Sequence, residues 1–243
     1  MGDPSRPTIS VCMAVRDGAH YVNDAVSSLT DQTLAPAEFI CVDDGSCDQT
    51  LDMLKRFGEE SAHPVRVISQ PRLGLPAARN AALRAAQSPW LLLFDADDVA
   101  HPTLIQSMSN AIAAQSDLGL AFCRVRYVDP KGAPIGPVSP WPGNTLTSLD
   151  FLGVNPMHST SGAVVHRDTA RQIGGFDETL TAMADVDLAI RIGQSGRRLH
   201  AVDQVLVDYR KHKRQVTADW QRLRRNWERV FAKAQSKAPN QID

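Results

Sequence analysis

WLLLFDADD, residues 90–98, sets five apolar residues ahead of three carboxylates. A short apolar run closed by charged or turn residues is typical of a buried β-strand. FICVDDGS, residues 39–46, repeats the arrangement, with Asp43 and Asp44 directly after the apolar run. The two stretches therefore predict buried strands that end in acidic side chains.

Similar apolar runs alternate with helical patterns through the first half of the chain. Two further predicted strands are ISVCMAV, residues 9–15, and VRVIS, residues 65–69. The helical spacing of apolar residues predicts helices over 21–29, 48–57, 76–87 and 102–115. Because strands and helices that alternate in this way build parallel sheets, we expect an α/β fold. We expect this fold to have a Rossmann-like, mostly parallel central sheet that is flanked by helices.

A second, smaller region follows a change of composition after Val128. Residues 129–144 are rich in Pro and Gly and have no periodicity, which predicts a loop. The pattern beyond it predicts a strand over 162–166, helices over 167–173 and 186–195, a strand over 201–209 and a helix from Asp219 onward. We therefore divide the chain into residues 1–115, 116–217 and 218–243.

The composition is that of one enzyme-sized globular unit. The chain has 243 residues, 43% of them hydrophobic, which is enough to bury a sizeable core. The net charge of −1 provides no field that attracts nucleic acid, so we expect no nucleic-acid partner. The four cysteines lack C-x-x-C spacing and the first residues lack a secretory pattern, which predicts reduced thiols and a cytoplasmic location. No apolar run approaches the roughly 18 residues of a membrane span.

The acidic strand ends indicate a ligand site. In a parallel α/β sheet, ligands bind beyond the carboxyl ends of the strands. Asp43, Asp44, Asp95, Asp97 and Asp98 would meet there and repel one another unless a cation lay among them. Oxygen ligands of this kind suit Mg²⁺ or Mn²⁺. The alternative is turn chemistry, in which Asp-Gly-Ser forms a turn and Asp98 caps the next helix.

Other nucleotide-binding motifs of α/β proteins are absent from the sequence. No G-x-G-x-x-G follows a strand and no G-x-x-x-x-G-K-[ST] occurs, which argues against dinucleotide dehydrogenases and P-loop phosphotransferases. PRLGLPAARNAAL, residues 71–83, instead leads a glycine-containing loop into a helix that carries Arg79. A helix N-terminus with an arginine can bind an anion. The alternative is that Arg79 is a surface residue or an ion-pair residue.

Five motifs together carry a family resemblance. The first is the single stretch over residues 9–50, from ISVCMAVRDG to FICVDDGSCDQT, and GLPAARNAAL, WLLLFDADD, GGFDETL and DVDLAIRI follow in that order. The series resembles the inverting family 2 glycosyltransferases of GT-A fold, closely over 8–115 and more loosely over 160–217. The resemblance implies that residues 1–115 bind a nucleotide-sugar and that residues 116–217 bind the acceptor and hold the catalytic base.

The resemblance also implies roles for individual residues. Ala14, Val15 and Arg16 would line the nucleoside pocket, Asp43 and Asp44 would contact base and ribose, and Gly74 and Arg79 would lie near the base or diphosphate. The stretch 95–97 matches the family's D-x-D motif, so that Asp95 and Ala96 face the nucleotide-sugar and Asp97 binds the metal. The stretch 208–217 resembles a Tyr-Arg-x-His motif, in which His212 binds the metal or the diphosphate and Lys211, Lys213 and Arg214 add positive charge. The alternative for this stretch is a solvated basic surface.

The resemblance places the catalytic base at the start of the second-region helix. The family usually has Glu-Asp there, whereas this chain has Ala184 and Asp185. Asp185 is the predicted general base, which takes a proton from the acceptor hydroxyl. In the alternative, Asp185 and Asp187 offset the dipole of the helix that they begin.

These assignments predict a metal-dependent glycosyltransferase of hexosyltransferase type in polysaccharide or glycolipid synthesis. It would move a sugar from a nucleotide-sugar, with UDP-sugar as the first choice, to a hydroxyl of a glycan or glycolipid acceptor with inversion, using Mn²⁺ or Mg²⁺. One alternative is a degenerate domain that binds a nucleotide or glycan without turnover, because the Glu before Asp185 is missing. The other is a nucleotidyltransferase, against which the lack of a Gly-rich triphosphate loop speaks.

Residues 218–243 predict a basic amphipathic helix. Its predicted apolar stripe consists of Trp220, Leu223, Trp227, Val230 and Phe231. We expect this stripe to pack on the domain or to form a homodimer contact. The alternative is peripheral contact with the inner face of a membrane.

Overall fold

The computed structural model describes residues 6–212, 215 and 219–237. The predicted alternation of strands and helices is confirmed through the first half of the chain. Its elements are β1 (Ile9–Val15), α1 (Val22–Thr30), β2 (Glu38–Asp44), α2 (Thr50–Glu60), β3 (Val65–Gln70), α3 (Leu75–Ala85), β4 (Trp90–Asp95), β5 (Val99–Ala100) and α4 (Leu104–Ala113).

The second half contains one long strand that the pattern did not predict. It is β6 (Leu118–Val128), and it runs parallel to β9 in the centre of this half of the sheet. The remaining elements are β7 (Thr145–Leu146), α5 (Asp150–Gly153), β8 (Ala163–His166), α6 (Arg167–Gln172), α7 (Ala184–Gln194), β9 (Arg198–Arg210) and α8 (Trp220–Lys237). Most of the Pro-rich segment between β6 and β7 is irregular, as predicted.

The strands of the described residues form one sheet in the order β3-β2-β1-β4-β8-β6-β9-β5, with β7 paired to β9. The first four strands are parallel, so their carboxyl ends meet at one edge. The register pairs Ala14 of β1 with Asp95 of β4, and Val15 with Asp43 of β2. The predicted α/β fold is confirmed, and it brings the two acidic strand ends to either side of β1.

Apolar side chains cover both faces of the sheet. Cys12 and Ala14 of β1 pack toward α3 and α7, whereas Val11 and Met13 pack toward α1 and α4. A strand buried on both faces needs a nearly continuous apolar run, which explains the composition of ISVCMAV, whose one polar residue is Ser10. Burial raises the pKa of the Cys12 thiol to about 12, so this thiol is neutral inside the core.

The C-terminal helix α8 packs against α7. Val230 and Ala234 belong to the core, and the Lys233 ammonium lies 2.7 Å from the Asp177 carboxylate. The predicted stripe is wrong at Trp220, which is 65% exposed. Trp220 therefore projects beyond the packed surface, whereas Arg222 and the later turns of α8 contact the domain. No helix in the described part of the chain is both long and apolar enough to cross a membrane.

Candidate active site

A cavity of about 1170 Å³ lies beyond the carboxyl ends of the parallel strands, where the sheet rule predicts a ligand. Its walls also include the start of α3, the segment before α7 and the first turns of α8. The predicted site residues that line it are Ala14, Val15, Arg16, Asp44, Gly74, Arg79, Asp95, Ala96, Asp97, Asp185 and His212. The structure therefore brings together residues that are up to 198 positions apart in sequence (212 − 14 = 198).

Asp44 shapes the loop that enters α3. Its carboxylate accepts hydrogen bonds from the backbone N–H of Leu73 at 2.8 Å, from that of Gly74 at 2.9 Å and from the Gln70 amide at 2.8 Å. Gly74 has φ of +101° and directly precedes the first residue of α3, a conformation that glycine adopts without strain. Asp44 therefore holds the N-terminus of α3 at the edge of the cavity.

Asp43 is the one predicted site residue that is absent from the described lining of the cavity. Its side chain is buried, and the Ser46 N–H donates to Oδ2 at 3.3 Å. Its Oδ1 has no hydrogen-bond partner among the residues that the structure describes. The contact of Asp43 with a base or ribose stays a prediction.

Arg79 and Asp95 form an ion pair in the cavity wall. The guanidinium Nη2 lies 2.7 Å from Asp95 Oδ1, and Arg79 is only 5% exposed. Burial raises the pKa of Asp95 above its ordinary value, although the Arg79 guanidinium opposes this shift. Asn80 bonds both the N–H and the C=O of Phe176, which holds the predicted GGFD turn against α3. Arg79 is therefore held in place inside the site. The alternative of a surface residue is wrong, whereas the ion pair that was also considered for Arg79 is present.

Asp97 and His212 meet although they are 115 residues apart. His212 Nε2 lies 2.8 Å from Asp97 Oδ2, and the imidazole stacks on Tyr21 with ring centroids 5.3 Å apart. The His212 side chain is only 15% exposed, so at this residue the alternative of a solvated surface is wrong. Lys213 and Arg214, predicted to add charge here, lie outside the described residues.

Asp98 serves the fold. It is fully buried, and its carboxylate accepts hydrogen bonds from Ser161 Oγ at 2.5 Å and from the Arg210 N–H at 2.9 Å. Burial, with Asp97 and Asp95 nearby, raises the pKa of Asp98 well above its ordinary value. The helix-cap interpretation of Asp98 is wrong, because α4 begins only at Leu104. Asp98 instead ties the segment after β4 to the end of β9.

Asp185 lies in the first turn of α7 and is partly exposed to the cavity. Thr160 Oγ1 donates a hydrogen bond of 2.8 Å to Asp185 Oδ2. No other hydrogen bond reaches this carboxylate from the residues that the structure describes. Met183, two residues earlier, has φ of +60°, a left-handed conformation that is uncommon outside glycine. The strained turn before α7 is thus adjacent to the exposed carboxylate.

Asp187 is buried in an ion-pair network. Arg191 donates to it through Nε at 2.7 Å and Nη2 at 2.5 Å, and the Lys233 ammonium of α8 lies 2.8 Å away. Asp187 is 2% exposed and is absent from the described lining of the cavity. The Asp187 carboxylate thus links α7 to α8. This structural role goes beyond the helix-dipole role that was considered from the sequence.

Replacing Asp187 with alanine is expected to lower the free energy of unfolding by about 3–5 kcal/mol, because it leaves Arg191 buried without its partner. Urea denaturation of both proteins measures the change. Asp117→Ala is the matched control, since Asp117 pairs with Arg198 on an exposed surface. A loss below about 1 kcal/mol for Asp187→Ala, as for exposed pairs, would contradict the structural role.

Several cavity residues were not predicted from the sequence as site residues. Tyr21 stacks on His212, Thr160 bonds Asp185, and Arg222 and Trp227 reach the cavity from α8. His158 also lines it and is bonded to Tyr127 Oη at 2.9 Å. None belongs to a motif with recognisable spacing. Two weak signals were present in the sequence. Tyr21 begins the predicted helix after the first strand, and His158 lies in NPMHSTSG, residues 155–162, a stretch considered for the acceptor side.

Asp97 and His212 could hold a metal ion. Among the described residues, no three His, Cys, Asp or Glu side chains form a metal cluster. A carboxylate oxygen and an imidazole nitrogen nevertheless stand side by side in the cavity. This donor set suits a divalent ion that takes its other ligands from substrate phosphate and water. The residues present therefore fit the predicted ion.

The sequence matches a known protein family and known relatives. Residues 10–174 match Glycosyl transferase family 2. The chain is 24% identical over 200 residues to the chondroitin synthase of Pasteurella multocida, which covers 80% of this chain but only 20% of that synthase. The chain thus spans about a fifth of the length of that relative.

Two solved structures share the GT-A fold of this chain. TarS of S. aureus, in complex with UDP-GlcNAc, aligns with a TM-score of 0.77 at 17% identity, over 97% of this chain and 68% of that one. The mannosyltransferase PcManGT of Pyrobaculum calidifontis, in complex with GDP-Man and Mn²⁺, aligns with a TM-score of 0.71 at 22% identity, over 94% and 64%. Since the family match extends over more than half of its residues, the chain belongs to glycosyl transferase family 2.

Proposed function

We propose that this chain transfers a sugar from a nucleotide-sugar to a hydroxyl group of an acceptor, with inversion. The observation that carries the proposal is that the Asp97–His212 pair and the exposed Asp185 carboxylate line one cavity at the parallel strand ends. Membership of the family supports sugar transfer, and the two structural neighbours were solved with UDP-GlcNAc and with GDP-Man. We propose a UDP-sugar as the donor.

The donor is proposed to lie along the ends of β1 and β2 and the start of α3. Ala14, Val15 and Arg16 form the nucleoside side of the cavity, with Asp43 beneath it. Arg79 has further N–H donors beyond the one that bonds Asp95, and they can bond the diphosphate. Asp95 and Ala96 would face the sugar-nucleotide. The buried ion pair fixes the guanidinium before the donor arrives, so binding costs little reorganisation.

Asp97 and His212 are proposed to hold Mn²⁺ or Mg²⁺. An ion held by these two residues would supply positive charge that stabilises the negative charge developing on the diphosphate leaving group. Tyr21 stacks on the imidazole and so fixes the direction of Nε2. PcManGT was solved with Mn²⁺, which supports a metal of this class.

Asp185 is proposed to act as the general base. It takes the proton of the acceptor hydroxyl while the oxygen forms a bond to the anomeric carbon and the bond from that carbon to the diphosphate oxygen breaks. One displacement inverts the anomeric centre and needs a single carboxylate. The Thr160 hydrogen bond holds Oδ2, which leaves Oδ1 for the proton. Ala184 contributes no second carboxylate at this turn.

A panel of nucleotides tests the donor part of the proposal. Thermal melting is measured with UDP, GDP, dTDP or CDP, each with and without Mn²⁺. We expect one nucleotide, UDP first, to raise Tm by several degrees only when Mn²⁺ is present, because a ligand at 100 times its Kd adds about 2.7 kcal/mol. A shift without donor hydrolysis or sugar transfer would favour the degenerate, non-catalytic alternative. Pyrophosphate release from a nucleoside triphosphate would favour a nucleotidyltransferase.

A further inference from the structure

The first turns of α8 contribute side chains to the cavity that neither the donor, the metal nor the base uses. They are Arg222, Leu223, Arg224 and Trp227. The Arg222 guanidinium donates to the carbonyl oxygen of Thr181, four residues before Asp185. This wall therefore adjoins the proposed base, whose partner in the reaction is the acceptor.

Trp227 presents a fixed aromatic surface to the cavity. Its indole N–H donates to the Leu152 carbonyl at 3.2 Å, and its ring stacks on Phe231 with centroids 5.1 Å apart. The side chain is partly exposed and lines the cavity. Two contacts thus hold the ring while some of its surface stays open. The negative face of an aromatic ring attracts the positive C–H edges of another group, and one side of a pyranose ring is made of such C–H groups.

Arg222 carries a positive charge without a carboxylate partner. Its Nε is buried and has no hydrogen-bond acceptor among the described residues, and none of their carboxylates lies within 4 Å of the guanidinium. Of the four other arginines in the described cavity lining, Arg16, Arg79 and Arg224 pair with a carboxylate, whereas Arg72 has no carboxylate partner among the described residues. A partly buried, unpaired guanidinium beside a cavity favours a ligand with a carboxylate or phosphate group.

We propose that the first turns of α8 form an acceptor subsite for an acidic sugar. Trp227 is the platform for one sugar ring, and Arg222 binds a carboxylate or phosphate on that sugar. The inference rests on the proposed function, because it assigns the acceptor side of the same cavity. The donor side is separate, since its residues come from β1, β2, β4 and α3.

Saturation-transfer NMR titrations test the platform in the full chain with UDP and Mn²⁺ present. The probe is methyl β-D-glucoside, compared in wild type, Trp227→Leu and Trp227→Phe. We expect Trp227→Leu to raise the Kd by roughly 2- to 12-fold and Trp227→Phe to restore most of the binding. Trp220→Leu is the matched control, because Trp220 is on the same helix but exposed and absent from the described cavity lining. A glucoside that gives no signal with wild type, or equal signals with wild type and Trp227→Leu, would overturn the platform.

The role of the Arg222 charge is tested with methyl β-D-glucuronide and methyl β-D-glucoside 6-phosphate, which differ from the glucoside only at C6. We expect one of them to bind wild type about tenfold more tightly than the glucoside, and the stronger of the two identifies carboxylate or phosphate. Arg222→Gln should remove this preference and Arg222→Lys should keep part of it. Arg229→Gln is the matched control, since Arg229 also donates to a backbone carbonyl, that of Thr179, outside the described cavity lining. Equal binding of acid and glucoside to wild type would overturn the role of Arg222.

Nucleotide binding, measured on every variant, separates this inference from the proposed function. We expect the Mn²⁺-dependent UDP shift to be the same in wild type, Trp227→Leu and Arg222→Gln. Weaker UDP binding by Arg222→Gln would assign this arginine to the donor diphosphate and overturn its acceptor role. A normal UDP shift with no binding of the three glycosides would overturn the subsite and leave the proposed function standing. Loss of the UDP shift in wild type would contradict the proposed function itself.

Discussion

Replacing Asp185 with asparagine is expected to lower the rate of sugar transfer by roughly 10²–10⁴-fold, the usual contribution of a general base. Asparagine has the same shape as aspartate and can still accept the Thr160 hydrogen bond, but it cannot take a proton from the acceptor. Nucleotide binding should be unchanged, because the proposed donor contacts come from other elements. The expected signature is therefore a lower kcat with the same Kd for the nucleoside diphosphate.

The measurement does not require the natural acceptor. Slow hydrolysis of the nucleotide-sugar uses water as the acceptor, and the released nucleoside diphosphate can be followed continuously. Asp150→Asn is a close control, because Asp150 also lies in the first turn of a helix and accepts a hydrogen bond of 2.8 Å from a threonine hydroxyl, that of Thr147. Asp150 is absent from the described lining of the cavity. The Asp150→Asn variant should therefore hydrolyse the nucleotide-sugar at the wild-type rate.

The alternative role of Asp185 predicts another result. If the carboxylate only offsets the dipole of α7, Asp185→Asn should cost about 0.3–1 kcal/mol of stability and leave hydrolysis near the wild-type rate. A rate within twofold of wild type, with intact nucleotide binding, would therefore remove Asp185 as the base.

The first half of the fold could be predicted because each element carries its own signal. Strands β1 and β4 are nearly continuous apolar runs, and helices of clear periodicity separate the first strands of the sheet. Strand β6 has a weaker signal, because Gly119 interrupts its apolar half and Arg124 and Arg126 interrupt the other half. In the structure these two residues pair with Asp203 and Asp208 of the neighbouring strand. Charged residues inside β6 are thus neutralised by contacts that become visible only after the chain folds.

The residue types of the site could be predicted from the sequence, but the structural or binding role of each carboxylate could not. Five acidic residues in two motifs have the same local pattern, and the fold gives them different partners. Asp44 holds the loop before α3 at the edge of the cavity, and the buried Asp98 holds β9. Asp95 and Asp97 line the cavity as partners of a buried guanidinium and an imidazole. Burial decides the difference between them. Sequence spacing does not report burial, so it could not separate the residues that support the site from those that line it.

Replacing Asp97 with alanine is expected to remove nearly all of the Tm shift that the nucleotide causes in the presence of Mn²⁺. Removing an outer-sphere partner of a metal ligand usually costs 10- to 100-fold in metal affinity, so loss of a direct ligand should cost at least about 100-fold. At the same ligand concentration a 100-fold weaker complex adds only about 0.4 kcal/mol, so it loses about 2.3 of the about 2.7 kcal/mol expected at 100 times Kd. His212→Ala should act in the same direction, because His212 Nε2 lies 2.8 Å from the same carboxylate.

The test compares Tm with UDP and Mn²⁺ in wild type, Asp97→Ala, His212→Ala and Asp52→Ala, in which the exposed Asp52 of α2 is the control. The metal-free Tm of each variant shows whether it is folded. Both site variants should lose the shift while Asp52→Ala keeps it. If Asp97→Ala kept the full shift, the metal would be held elsewhere and the Asp97–His212 pair would be a structural contact. If only His212→Ala kept it, Asp97 would remain the ligand, and His212 would serve to orient the carboxylate through their hydrogen bond.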